Sequence, residues 1–412
     1  MIRRRAFTSR VVAAAIAGPG CVPRRGTAVA PRANTLWRDP SPKTPGGMLP
    51  DVALERGARA FEAERARKNH PAPARLMKSW STTVSAPPTK LLAGARGVVA
   101  CGDGNCFFVD PRGKAAGGTD RWLGGLTLDA DGARLLSVGR DDHEPVVHDV
   151  RSGKRLGSLR WSEGEAPRQF ARWDGLYLLT SVQVPEHRSE ESPTAGARLA
   201  FMPTLRPRAR RSPVGTRPVG FLQSIDSSSV IAAASPQGLT LATPRGVQWT
   251  DWALRPGADW RRTIDPLGLA MDDDGNAVLV AKIDRAPRLL VLDPLGGVKA
   301  DVALSQATEY PDPPLLGRDG VIVLAPKGEL IAYDQSGNVV WHFAREGTSA
   351  PLALGDAGIL VEHAGQLWHT DWAGHAHPIA NLPGPLTAGP AVHQGAWYVA
   401  TADAVHRFDP PR

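Results

Sequence analysis

Residues 320–343, GVIVLAPKGELIAYDQSGNVVWHF, alternate short apolar runs with tight turns, and that alternation decides the fold. Val321–Ala325 is a β-branched and apolar run, and Pro326-Lys327-Gly328 has the turn chemistry to reverse it into a second strand, Glu329–Tyr333. Asp334-Gln335-Ser336-Gly337 then supplies a side-chain oxygen for the turn and a glycine able to take positive φ. Asn338–Phe343 reads as a third strand, and Pro313–Gly317, upstream, as a fourth and innermost one. A sheet of this size cannot bury both faces alone, so the pattern predicts stacked neighbours.

The turn after the third strand can be followed along the chain. It recurs at Asp110–Gly113, Asp149–Gly153, Thr243–Gly246, Asp293–Gly296, Asp334–Gly337, Asp371–Gly374 and Asp409, with a degenerate copy where Leu199–Met202 meets Pro203. That makes eight units with a period of about forty residues, the spacing of four-stranded propeller blades. Two inner hairpins carry an acidic-Gly turn, Leu126–Gly132 and Leu269–Asn276. The acidic run Asp272-Asp273-Asp274 lacks the further side-chain oxygens of a calcium loop, since Ala277, Val278 and Leu279 follow it. The expected fold class is therefore all-β: an eight-bladed β-propeller of four-stranded antiparallel blades, with seven blades as the alternative. The last unit has three residues after Asp409, too few for an outer strand. The segment 76–84, LMKSWSTTV, is expected to supply it and close the propeller of residues 76–412, with Trp80 placed as Trp341 is after Gly337.

The formal charge of +8 is unevenly distributed: residues 1–78 hold 16 Lys/Arg and 5 Asp/Glu, net +11, leaving the repeats at net −3. Nucleic-acid backbone recognition needs clustered Lys/Arg, so none is expected as a partner. The basic run Arg206–Arg211 reads as a solvated loop. With 42% hydrophobic residues and no apolar run of transmembrane length, membrane association is expected only through an N-terminal lipid.

Residues 1–30 read as an export signal or a basic disordered tail. Arg3, Arg4, Arg5 and Arg10 precede the apolar stretch Val11–Ala17, Arg4-Arg5-Ala6-Phe7 is similar to a twin-arginine start, and Cys21 is the candidate lipidation residue. Periplasm or cell envelope is placed slightly ahead of the cytoplasm. Residues 31–75 form a linker with a helix over about 51–69, capped by Asp51 and stopped by Pro71. Its apolar face, Leu54, Ala58 and Phe61, is thin, so the helix is expected to rest lightly on the repeats, with service to a partner as the alternative.

Leu330-Ile-Ala-Tyr-Asp334, Gly337 and Trp341 resemble the repeat of pyrroloquinoline-quinone-type propellers, with Trp249 after Gly246 as the next best copy. The resemblance covers about residues 76–412. That superfamily holds quinone-dependent dehydrogenases as well as cofactor-free scaffolds, including the propeller lipoprotein of outer-membrane β-barrel assembly, so the repeat implies a shape and not an activity. The chain has only Cys21, Cys101 and Cys106, with no vicinal cysteine pair, and lacks the Gly-x-Ser-x-Gly, His-Glu-x-x-His and Gly-Lys-Ser/Thr motifs. No catalytic, cofactor or metal residue is assigned, and no cofactor is expected. His363, His369, His375 and His377 cluster in one repeat, where His375-x-His377 could present two ligands from one strand face; surface histidines are the plainer reading.

The expected function is a monomeric, non-catalytic scaffold for an unidentified protein partner. The alternatives are a quinone- or metal-dependent enzyme using the central funnel, and an intracellular adaptor. In Cys101-Gly-Asp-Gly-Asn-Cys106 a two-residue turn at Asp103-Gly104 would pair Cys101 with Cys106, so a disulfide is expected at that hairpin as an alternative to two packed thiols.

Overall fold

The computed structural model describes residues 37–38, 59, 61, 68–102, 104–119, 122–129, 132–139, 145–158, 165–173, 176–183, 195–201, 217–224, 231–252, 255–305, 310, 312–317, 319–345 and 350–411. The expected signal or tail, Cys21 and the run Arg206–Arg211 lie outside them, as does most of the expected helix.

Among the described residues the chain is almost wholly β, with one 3₁₀ turn at Gly355–Ala357 and helical backbone at Arg59, Phe61 and Lys68. The strands form seven four-stranded sheets and one five-stranded sheet. In chain order the first strands of the sheets are Lys90–Gly94, Trp122–Leu128, Glu165–Trp173, Ile231–Ser235, Asp265–Met271, Leu315–Leu316, Leu352–Ala353 and Ala388–His393. Each is followed by an antiparallel meander of two or three further strands, as the turn spacing dictates. The sixth sheet is the stretch from which the fold was read: Leu315–Leu316, Ile322–Leu324, Glu329–Tyr333 and Val339–Ala344. The third sheet gains its fifth strand from Trp37–Arg38, which pairs antiparallel with Arg217–Ser224. The first strands lie against one another between the first and second, second and third, fourth and fifth, fifth and sixth, and seventh and eighth sheets, and that of the first sheet also lies against that of the eighth, an arrangement consistent with a β-propeller.

The eighth sheet is built from both parts of the chain. Met77–Thr83 pairs antiparallel with Ala404–Asp409, and Trp80 stands opposite Arg407. The core is distributed between sheets: Val84, Leu91 and Val98 pack with Tyr398 and Val405 across the first and eighth sheets, and Val323, Leu330 and Ala332 pack with Ile359 and Val361 across the sixth and seventh. These sheets thereby bury apolar residues against their neighbours, worth roughly 25 cal/mol per Å² of apolar surface removed from water.

The third-to-fourth-strand turns couple the sheets. Asp110, Asp293 and Asp334 each accept two turn N–H groups on one carboxylate oxygen, at 2.8–2.9 Å. The glycine closing such a turn then slides under the outer strand of the preceding sheet. A Cβ on Gly374 would lie 2.8 Å from the Trp341 ring, and one on Gly113 would lie 2.9 Å from the Trp80 ring. Both indoles donate to the carbonyl two residues before that glycine, Trp341 to Trp372 at 3.0 Å and Trp80 to Pro111 at 3.1 Å. The same clasp therefore joins the sixth sheet to the seventh and the eighth to the first.

The fourth sheet corrects the repeat alignment. Thr243–Gly246 joins its second and third strands, Gly238–Thr243 and Gly246–Asp251, rather than its third and outer strands. The equivalent of the Asp turn is at Asp251, whose carboxylate accepts the Arg255 N–H at 2.9 Å. Trp249 accordingly lies in the third strand, and its indole donates to Gly275 of the fifth sheet's inner hairpin. A Pro-Arg-Gly turn serves either hairpin equally well, so residue type could not separate the two registers.

Candidate functional site

In an antiparallel four-strand meander, successive turns alternate between the two ends of the sheet. The second-to-third-strand hairpins therefore share one end: Cys101–Cys106, Pro244-Arg245, Asp284-Arg285, Pro326–Gly328, Ala364-Gly365 and Ala402-Asp403. The other end carries the first-to-second-strand turns and the Asp turns.

That second end is contacted by the chain's own N-terminal segment. The Phe61 ring lies 6.3 Å from Trp252 of the fourth sheet, whose indole donates to Pro236. Asn69 pairs with Asp356 of the seventh sheet, accepting its N–H at 3.1 Å. The His70 N–H donates to Leu354, and its ring stands 6.0 Å from Trp397 of the eighth. Leu76, 4% exposed, joins the core of the seventh and eighth sheets.

At the hairpin end, Cys101 and Cys106 are cross-strand partners joined by a disulfide, with Cα atoms 4.0 Å apart and both residues buried. Gly102 stands opposite Asn105 and Gly104 has φ +77°, while Asp103 lies outside the described residues. The sixth sheet buries a cation there. Arg345 donates to the carbonyls of Pro326 at 3.0 Å and Ala325 at 2.9 Å, and Asp312 lies 3.7 Å away. Burial lowers the Arg345 pKa and raises that of Asp312, because at this separation desolvation outweighs their attraction. This arrangement ties three backbone segments together; it leaves a buried charge that is structural rather than reactive.

The histidine-rich repeat does not assemble a metal site. His375 lies in the turn, largely exposed, with Nδ1 2.9 Å from Asp371. His377 faces His369 across the strand pair at a ring separation of 5.2 Å, and His369 Nε2 is 2.7 Å from the Ala357 carbonyl. His363 packs edge-on against Phe343 and Trp368. Among the described residues no group of three or more His, Cys, Asp or Glu is placed to hold a metal. The Asp272 carboxylate is taken up by its own hairpin, accepting from Asp274, Asn276 and the Asn276 side chain.

A hydrogen-bonded chain that sequence reading missed runs through the eighth sheet. Ser81 Oγ is 2.8 Å from His406 Nδ1, His406 Nε2 is 2.9 Å from Thr401 Oγ1, and Thr401 Oγ1 is 2.8 Å from Asp403 Oδ1. Ser81 and His406 are over three hundred positions apart and meet only because the two terminal strands pair, so no spacing motif could reveal them.

His70, His148, His369 and His406 share one electrostatic property: burial lowers the pKa of each below the ordinary imidazole value. The causes differ in detail: the His393 charge adds to the effect at His70 and the Lys78 ammonium at His406, while Asp403 opposes it at His406. Because the folded pKa values lie below the unfolded ones, the unfolded chain binds more protons in acid. Stability is therefore fully present above the unfolded imidazole value of about 6.5 and falls as pH drops toward the folded values. Urea unfolding is expected to show a plateau above about pH 7 and a lower unfolding free energy at pH 5. Equal unfolding free energies at pH 7 and pH 5 would contradict this.

No protein-family model matches the chain, and no curated protein matches it in sequence. Solved structures similar to it include Raptor from Chaetomium thermophilum, with a TM-score of 0.47 and 11% identity over 87% of this chain and 31% of that one. The chain thus spans about a third of the Raptor chain's length. The WD40 domain of Toxoplasma gondii coronin has a TM-score of 0.44 and 14% identity, over 83% of this chain and 88% of that one. The Cps50 (Swd1) β-propeller domain from Myceliophteria thermophila has a TM-score of 0.41 and 12% identity, over 71% and 96%. At these values the likenesses carry no argument about activity or partner.

Proposed function

We propose that the chain is an eight-bladed, non-catalytic propeller scaffold that receives a protein partner on the end formed by its second-to-third-strand hairpins. The observation that carries this reading is the asymmetry of the two ends. In a ring of eight, the fourth and eighth sheets stand opposite each other, and the segment that includes Phe61 and His70 touches Trp252 on one and Trp397 on the other. Among the described residues the N-terminal segment contacts this end alone, which leaves the opposite rim as a rigid display of loops. The Cys101–Cys106 bridge on that rim suits an oxidising compartment, which favours the periplasm or cell envelope, with Cys21 as the lipid attachment residue. The pairing of Met77–Thr83 with Ala404–Asp409 within one chain supports a monomer.

Two pairs of charge reversals test the assignment of the face. Arg285 and Lys327 are exposed on the hairpin end, and Arg112 and Lys154 are exposed on the other. In affinity capture from the native host, proteins retained by the unaltered chain are expected to be lost with Arg285→Glu and Lys327→Glu and kept with Arg112→Glu and Lys154→Glu. Loss only with the second pair would reverse the face. Dye-linked oxidation of alcohols or sugars that depends on added quinone and calcium would instead establish the enzyme reading.

A further inference from the structure

The chain from Ser81 to Asp403 has a direction. Ser81 is exposed on the closing strand, whereas His406 is 4% exposed and Thr401 5%. A hydroxyl donating to His406 Nδ1 leaves the imidazole proton on Nε2, from which it donates to Thr401 Oγ1; the Thr401 hydroxyl in turn donates to the Asp403 carboxylate. An accessible nucleophile thus rests on a neutral base whose tautomer is set by a third group, the arrangement that activates serine hydroxyls. Ser79, two residues away on the same exposed strand, differs in one respect. Its hydroxyl is held by the Asp409 carboxylate rather than by an imidazole.

We propose that Ser81 is an acylation site: its Oγ accepts an acyl group from an activated ester, with His406 as the base and Thr401 and Asp403 as positioning residues. Ser81 Oγ forms the bond to the ester carbonyl carbon, the bond from that carbon to the leaving oxygen breaks, and the hydroxyl proton passes to His406 Nδ1. The leaving alkoxide or phenolate departs with the bonding electrons, and the imidazolium returns its proton to that group or to water. No oxidant or metal enters the balance. The charged groups facing the imidazole are Lys78 on the closing strand and Asp403 in the hairpin, one disfavouring and one favouring its protonated form. This site is independent of the scaffold reading, because it lies within the eighth sheet and needs no partner.

The test uses the full chain with p-nitrophenyl acetate, the acetylated serines being mapped by mass spectrometry over time. General-base assistance contributes roughly 10²–10⁴-fold, so Ser81 is expected to be acetylated about 10²-fold faster than Ser79. His406→Gln is expected to remove that advantage. Thr401→Val, which keeps the shape of the side chain and cuts the link to Asp403, is expected to lower it in part. The Ser81 rate is expected to rise with pH along a single titration centred below the ordinary imidazole value, a readout that a purely structural hydrogen bond would not produce. Equal rates at Ser81 and Ser79 in the unaltered chain would overturn the proposal even if His406→Gln failed to fold. So would an unchanged Ser81 rate in folded His406→Gln or a pH-independent one in the unaltered chain.

Discussion

Replacing Trp80 by alanine is expected to destabilise the protein by about 2 kcal/mol, below the range for a fully buried aromatic because the ring is only partly buried, and by more than Trp341→Ala. The two indoles are held alike, each against a turn glycine with its N–H on a turn carbonyl. Trp80 also meets Tyr398 at a ring separation of 6.0 Å, and its strand is joined to the last sheet only through tertiary pairing. The sixth and seventh sheets remain connected through the chain when Trp341 is lost, whereas the strand carrying Trp80 is far in sequence from Ala404–Asp409. Weakening its hold frees an outer strand and exposes the edge of the eighth sheet, a template for aggregation. Urea unfolding and size-exclusion chromatography of both variants would check this. A Trp80→Ala midpoint equal to or above that of Trp341→Ala would show that the strand Met77–Thr83 contributes no more than an internal one.

Gly97→Ala is expected to cost at least about 3 kcal/mol, through backbone strain combined with overlap. Gly97 starts the second strand of the first sheet with φ +120°, a conformation that L side chains rarely adopt. A Cβ there would overlap the Val109 carbonyl oxygen, so the hairpin that carries the disulfide would have to shift. Gly365→Ala is the control: its φ is +68°, but a Cβ there meets nothing within 4 Å. It is expected to cost about 1 kcal/mol, the usual left-handed penalty alone. Comparable unfolding midpoints for the two variants would mean that overlap with the carbonyl adds nothing.

The sheets were legible because their signals are local. Glu329–Tyr333 is a strand with the bounds read from sequence, and Asp334–Gly337 is a turn because its carboxylate and glycine lie within four residues of the groups they satisfy. The fourth sheet was misaligned for the same reason: Thr243–Gly246 and the turn at Asp251 carry equivalent local signals, and only the pairing of Gly246–Asp251 with Pro256–Arg261 distinguishes them. Site residues were less legible. The four histidines adjacent in sequence are dispersed among a turn, a strand pair and an aromatic contact.

By itself the amino-acid sequence determined the all-β class, the meander, the turn chemistry and the cysteine register of the first sheet, since each depends on residues a few positions apart. Tertiary structure alone decided which end the N-terminal segment contacts, how a turn glycine fits beneath its neighbour's tryptophan, and that Ser81 reaches His406. These depend on side chains brought together from distant positions, and the pairing that unites them is stabilised by packing between sheets rather than by any local preference of the chain.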